Sequence, residues 1–309
     1  MIEVDNLTKY YGTKCALDKI SFSVKKGEIL GFLGPNGAGK STAMKIITGY
    51  LSPTEGTVKV DGLDVVDDSL ETRKRIGYLP EHPPLYLDMT VKNYLEFAGK
   101  IKGIKNKKLK DCVENVVEKC GIKKYYKSQC SSLSKGYRQR VGIAQAMIHE
   151  PMILVLDEPT IGLDPIQIIE IRELIKSFGG DHTVILSTHI LPEVDMTCEQ
   201  VIIINDGVVV AQDSTANLKE RINSNEQLII HVRGKTSNLS SKLGKINGIT
   251  NISEHKDSSD VIVLTIEYDN SVDVRPEITR TIVKENLDLL CLKNTTMTLE
   301  EIFIKVTMN

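Results

Sequence analysis

Two rhythms of apolar residues alternate along the chain. Short runs rich in β-branched residues, at 2–4, 20–24 and 57–60, precede and surround a glycine-rich loop, and later apolar runs end in acidic or polar residues. This pattern predicts an α/β architecture built on a mixed sheet. From 90 to 120 the period lengthens: Leu109, Cys112, Val113, Val116, Val117 and Cys120 recur at the spacing of one helix face, which predicts a helical insertion. Lys102, Lys105, Lys107, Lys108 and Lys110 read as the solvated face and linker of that insertion rather than as a lipid-facing patch.

A polar stretch over 213–226 separates a first part, residues 1–220, from a second, residues 221–309, with its own pattern. Strand-like 228–232 precedes a helical stretch bearing Leu239, Leu243 and Ile246, then strand-like 249–255 and 261–268. A second helix bearing Val274, Ile278 and Ile282 leads to strand-like 287–292. The order β-α-β-β-α-β is that of a small α+β, ferredoxin-like domain. Thr298 and Glu301 fit a capping box for a last helix over 299–306. The sequence of this second part shows no catalytic constellation.

Composition bounds the function. With 309 residues, 41% of them apolar, the chain can bury one large core or two smaller ones, and two domains are expected. Lysine plus arginine (39) nearly balances aspartate plus glutamate (41), and residues 221–309 carry 11 basic against 12 acidic side chains. Neither part is a basic module, so nucleic acid is not an expected partner. The six cysteines, Cys15, Cys112, Cys120, Cys130, Cys198 and Cys291, show no paired metal-ligand spacing and read as reduced, mostly buried small hydrophobes. Met1, Ile2, Glu3, Val4 and Asp5 begin directly in strand-like alternation, without the charged start and apolar stretch of a secretion signal, so a cytoplasmic location is expected. The longest apolar runs, such as 153–156 and 201–204, fall far short of the roughly 20 residues of a membrane-spanning helix. A role in transport would put the path on another chain.

The sharpest local signal is Gly34-Pro35-Asn36-Gly37-Ala38-Gly39-Lys40-Ser41-Thr42, which matches the P-loop pattern and follows the apolar run Ile29–Leu33. Its glycines let the backbone curl so that successive N–H groups face phosphate oxygens, and a helix starting near Lys40 adds its positive dipole end. Lys40 is expected to bind the β- and γ-phosphates, and Ser41 to hold Mg²⁺ through its hydroxyl. A second signal is the apolar strand 153–156 delivering Asp157 and Glu158 at its end. Asp157 is expected to contact Mg²⁺, directly or through water, and Glu158 to polarise the water that attacks the γ-phosphate. Adjacent residues of a strand face opposite ways, so the two acids can share one site only if the chain bends there, and Pro159 favours a bend.

With Leu133-Ser134-Lys135-Gly136-Tyr137 placed 20 residues ahead of the acidic pair, before a helix bearing Val141, Ala144 and Ile148, residues 1–220 resemble the ABC ATPase family. The resemblance implies a P-loop ABC ATPase domain with a mixed sheet and a helical subdomain over about 88–150, ATP as ligand and Mg²⁺ as cofactor. It implies that ATP is cradled by Gly34, Asn36, Gly37, Ala38, Gly39, Lys40, Ser41 and Thr42. Ser134 and Gly136 are implied to reach the ATP of a second ATPase subunit in a head-to-tail homodimer. Tyr11 resembles the aromatic that stacks on adenine, with Tyr10 its rival; Gly162-Leu163-Asp164 resembles the loop facing the opposite subunit; and His189, in Ser187-Thr188-His189, resembles the switch histidine. Glu158 and His189 are thus the implied catalytic residues.

Two positions depart from the family pattern. Glu81 stands where glutamine is commoner, as a water-mediated Mg²⁺ contact whose repulsion of phosphate the doubly charged metal offsets. Tyr137 likewise stands where the signature commonly has glutamine. Glu81 and the carboxy-terminal Leu299-Glu300-Glu301-Ile302-Phe303 resemble the branch serving ABC-2-type exporters, including gliding-motility and antibiotic-resistance ATPases. The implied partner is a separate transmembrane permease subunit, docked near Pro83-Pro84-Leu85-Tyr86, with this chain at the cytoplasmic face of the membrane. A non-transport ABC ATPase and a nucleotide-sensing regulatory subunit remain the alternative readings.

Overall fold

The computed structural model describes residues 1–217, 225–234, 238–256, 261–269 and 272–295. The chain divides into two compact units, Met1–Thr215 and Ala216–Asn309. The first begins with β1 (Ile2–Tyr11), β2 (Lys14–Val24), β3 (Ile29–Leu33), α1 (Lys40–Ile47), β4 (Glu55–Val60), β5 (Leu63–Asp64), α2 (Ser69–Arg75) and β6 (Ile76–Leu79). It continues with α3 (Val91–Ile101), α4 (Asn106–Lys119), α5 (Lys135–Met147), β7 (Ile153–Asp157), α6 (Pro165–Lys176), β8 (Thr183–Thr188), α7 (Leu191–Thr197), β9 (Gln200–Asn205) and β10 (Val208–Ser214).

Two sheets result. Strands with one buried face and one wet face, such as β1, join an antiparallel sheet in the order β2-β1-β4-β5. The apolar runs β3 and β7, and β8 with its threonine and serine, are buried throughout. They take the middle of a six-stranded sheet, order β10-β9-β3-β8-β7-β6, parallel from β9 to β6 with β10 antiparallel at the edge. Phe22 of β2 and Phe32 of β3 meet at a ring-centroid distance of 5.6 Å, in the core that joins the two sheets. The sequence pattern is therefore realised as a mixed α/β fold.

The expected helical region contains α3, α4 and α5. Thr90 caps α3 by accepting the Asn93 N–H at 3.2 Å, and Ser134 caps α5 through the Tyr137 N–H at 3.4 Å. On α4 the apolar stripe turns Leu109, Val113, Val116 and Val117 inward.

The second unit carries β11 (Asn225–Arg233), a short helix Leu239–Leu243, β12 (Ile249–Lys256), β13 (Val261–Asp269), a helix Arg275–Lys284 and β14 (Asp288–Thr295). The sheet order β12-β13-β11-β14, antiparallel at every pairing, is ferredoxin-like. Ile262, Leu264, Ile266 and Tyr268 alternate inward along β13 onto Leu239, Leu243, Ile278 and Ile282 of the helices. The helix expected over 299–306 lies outside the described residues. Of the cysteines, Cys120, Cys130 and Cys198 are buried while Cys15, Cys112 and Cys291 are half-buried; all are free thiols, and half, rather than most, are interior.

Candidate functional site

The parallel strands of the central sheet end on one side, and the loops leaving β3, β7 and β8 meet there, as open α/β sheets place their ligand sites. The loop after β3 is fixed by close packing. A side chain on Gly34 would collide with the Ile204 carbonyl oxygen, and Gly39, at φ 105°, holds a left-handed turn that delivers Lys40 as the first residue of α1. Lys40 is 6% exposed. Its Nζ donates to the carbonyl oxygens of Gly34 at 2.8 Å and Pro35 at 3.2 Å, and pairs with Glu158 Oε1 at 3.2 Å.

The acidic pair reaches the same place by the bend its spacing requires. Asp157 ends β7 and accepts a hydrogen bond from the Ser41 hydroxyl at 3.2 Å. Glu158 follows at φ 48°, a left-handed conformation costly for a residue with a side chain and held by its surroundings. Its N–H donates to the Ser187 carbonyl and hydroxyl oxygens, each at 3.1 Å, while the Ser187 hydroxyl donates to Asp157. Ser187 thus braces both acids. Burial, and behind it the Asp157 carboxylate, push the neighbouring Tyr78 phenol up.

His189 follows β8 and sets Nδ1 2.9 Å from Glu158 Oε2. A carboxylate only accepts, so Nδ1 carries the proton. Glu158, 5% exposed, therefore sits between an ammonium and an imidazole N–H, its two oxygens fixed by residues from two other loops. A carboxylate held this way can take a proton from water at a defined position.

Lys40 and Glu158 line a cleft of about 480 Å³ together with Asn36, Gly37, Gly39, Ser41, Thr42, Glu81 and Tyr11, while Gly34, Ala38, Asp157 and His189 stand behind that lining, His189 reaching it through Glu158 and Asp157 through Ser41. Tyr11, rather than Tyr10, lines it. Tyr10 lies on the other face of β1, where its hydroxyl meets Cys15. Lys14, Ala16 and Ile161 also line the cleft, and the sequence pattern gave no reason to single them out. Among the described residues lining it, neither Ser134 nor Gly136 appears. Gly136 packs against the chain's own α6 region instead, so close to Gln167 that an added Cβ would stand 2.7 Å from it, and neighbouring Lys135 closes on Gly162, while Ser134 is exposed at the start of α5. Tyr137 turns to Tyr125, ring centroids 4.1 Å apart.

Mg²⁺ takes hard oxygen ligands and keeps several of its partners outside the protein. The Ser41 hydroxyl and Asp157 carboxylate, side by side at the start of α1, fit that preference, with Glu81 across the cleft. Among the described residues no cluster of three or more His, Cys, Asp or Glu stands ready to hold a metal. No helix of the described residues is long and apolar enough to cross a membrane.

The family model described as "ABC transporter" matches residues 17–161. The bacitracin transport ATP-binding protein of Bacillus licheniformis is 38% identical over 223 residues, 72% of each chain. The linearmycin resistance ATP-binding protein of Bacillus subtilis is 29% identical over 312 residues, 99% of this chain and 98% of its own, so its likeness extends through the second unit. Among solved structures, a dimeric ATP-binding cassette in a post-hydrolysis state with ADP and Pi superposes with a TM-score of 0.64 at 26% identity, over 70% of this chain and 99% of its own. Likeness of this extent, on a fold whose phosphate loop, acidic strand and histidine converge on one cleft, means that the chain belongs to the ABC transporter family, as an ATP-binding subunit and an ATPase.

Proposed function

We propose that this chain energises an exporter, two copies closing head to tail around two ATP molecules at the cytoplasmic face of the membrane and driving a separate transmembrane permease subunit. The observation that carries the reading is Glu158 fixed between Lys40 and His189 at the mouth of a phosphate loop. The bacitracin-transport and linearmycin-resistance names of its relatives support export. In this reading residues 1–220 form the ATPase domain, with its helical subdomain over about 88–150, and 221–309 an accessory domain.

The geometry supports the following residue roles. Lys40 and the loop amides from Gly34 to Thr42 hold the phosphates, and Tyr11 stacks on the base. Ser41 and Asp157 hold Mg²⁺, with Glu81 reaching it through water; when bound, the ion neutralises charge on the β- and γ-phosphate oxygens. Glu158 accepts the proton of the attacking water, and His189 fixes the carboxylate and contacts the γ-phosphate. Ser134 and Gly136, which do not line their own cleft, serve the ATP of the partner copy. The permease helix docks in a groove of about 500 Å³ where Pro84 and Pro80 face Lys45, Arg73 and Lys102. Exposed Tyr50 is part of that lining.

The shared site is tested by mixing two dead variants. Lys40→Ala removes the phosphate cation and Ser134→Arg blocks the approach of the signature, so each homodimer is inactive. In a mixed dimer both lesions fall in one composite site and leave the other intact. Mixing restores phosphate release to up to about a quarter of wild type when pairing is random and the sites act independently. A linked dimer with one wild-type and one doubly substituted half is the control. If that control turns over and cross-linking shows mixed dimers, yet the mixture stays dead, the head-to-tail homodimer is wrong.

A further inference from the structure

A buried carboxylate outside the roles assigned so far ties the two catalytic loops together. Glu193, in the first turn of α7, is 1% exposed. Its Oε1 accepts a hydrogen bond from the Thr160 hydroxyl, and its Oε2 accepts one from the Thr188 hydroxyl at 2.8 Å. Thr160 and Thr188 are themselves buried, at 2% and 0% exposure. Thr160 lies two residues beyond Glu158, and Thr188 immediately precedes His189. The bridge therefore spans the ends of β7 and β8, the two strands that deliver the catalytic pair.

The turn carrying His189 is held from both sides. The Thr188 hydroxyl oxygen accepts the Ile190 N–H at 3.0 Å while its proton goes to Glu193, and the Glu193 N–H returns to the Ile190 carbonyl at 3.1 Å. Ser187 braces the Glu158 backbone on the other side of the pair. An acid in an apolar interior is expensive to keep, and here both of its oxygens are spent on these two loops. An apolar side chain of similar size would fill the space without fixing the separation.

We propose that Glu193 is a positioning residue for ATP hydrolysis: it bridges Thr160 and Thr188 so that His189 Nδ1 stays within hydrogen-bond reach of Glu158. Its side chain is not part of the cleft's lining. The proposal rests on the roles given above to Glu158 and His189. Misplacing a catalytic group by about 1 Å costs on the order of a hundredfold in rate while ground-state binding survives.

The test is a double-mutant cycle in the full-length chain, read by steady-state phosphate release, ATP affinity and thermal midpoint. Glu193→Ala is expected to lower kcat by about ten- to a hundredfold with ATP affinity within roughly threefold of wild type. Glu193→Gln is expected to recover most of the rate. Its amide oxygen can take the Thr188 proton and its NH₂ can donate to Thr160, whose hydroxyl is free to turn. In the His189→Ala background, Glu193→Ala is expected to cost nothing further. A folded Glu193→Ala with wild-type kcat overturns the proposal, as does an equal loss with and without His189. Should Glu193→Ala lack a cooperative thermal transition, Thr160→Val severs one arm at constant shape and enters the same cycle; full activity there overturns the bridge. Normal turnover in His189→Ala alone removes the role of His189 and the bridge with it. A His189→Ala loss beside a fully additive Glu193→Ala loss leaves the catalytic pair standing and removes the bridge only.

Discussion

Replacing Glu158 by Gln separates the two jobs proposed for one carboxylate. As the proton acceptor it is needed for chemistry, so kcat is expected to fall by about two or more orders of magnitude. As the counterion of Lys40 at 3.2 Å, it also competes with phosphate for the same ammonium. At an effective dielectric near 20 that pair is worth about 5 kcal/mol of gross Coulomb attraction. Most of this is offset by desolvation, and the Gly34 and Pro35 carbonyls keep their bonds to Nζ, so the net value is that of a charge-assisted hydrogen bond, about 1.5–3 kcal/mol. Glu158→Gln removes that competitor and one negative charge facing the phosphates. ATP is therefore expected to bind about ten- to a hundredfold more tightly as turnover collapses. Equilibrium titration with ATP and Mg²⁺ at fixed salt, beside phosphate release, measures both. Affinity unchanged or weakened refutes the competition for Lys40, and undiminished phosphate release refutes Glu158 as the base.

The remaining expectations concern stability and domain independence. Burial, aided by the charge of Lys102, pushes His149 down to about 4 from 6.5. Above pH 6.5 it is neutral folded and unfolded; as pH falls toward 4 the unfolded chain takes up a proton that the folded one refuses, which removes up to about 3 kcal/mol of stability. Denaturant melts of wild type and His149→Gln between pH 7 and 4 check this, the expected difference being a shallower loss in the variant. A chain ending at Asn223 is expected to bind ATP, because the motifs lie in the first unit and the second has its own core. Loss of binding by a truncated protein that is well folded by circular dichroism would refute this.

What the sequence shows of this molecule is what consecutive residues can encode. The phosphate loop is legible because its backbone curl and its lysine lie within nine positions, Gly34 to Thr42, and the acids are legible because an apolar strand ends on them. Alternation says that Tyr10 and Tyr11 face opposite ways, but only the register of β1 against β2, Tyr10 opposite Cys15 and Tyr11 opposite Lys14, decides which one borders the cleft. Contacts distant in sequence leave no local mark. Glu193 reads as an ordinary acid in the first turn of a helix, where the dipole welcomes one, until a residue 33 positions away donates to it. Ser187 reads as a polar strand end until it meets the Glu158 backbone from 29 positions away.

The same reasoning separates the motifs by what they can complete alone. Lys40, Ser41, Asp157, Glu158 and His189 are joined by direct hydrogen bonds and ion pairs within one chain. The signature is joined to something else. Lys135 closes on Gly162, Gly136 on Gln167, and Arg140 pairs with Glu170 at 2.8 Å, so α5 is fastened to the segment that leaves the catalytic acid. In a head-to-tail pair, the loop following one site's Glu158 is thereby linked to the surface presented to the other site. In the proposed pair, a displacement of Glu158 would have a continuous path of packed side chains toward the partner's nucleotide, a path that needs two ATP sites.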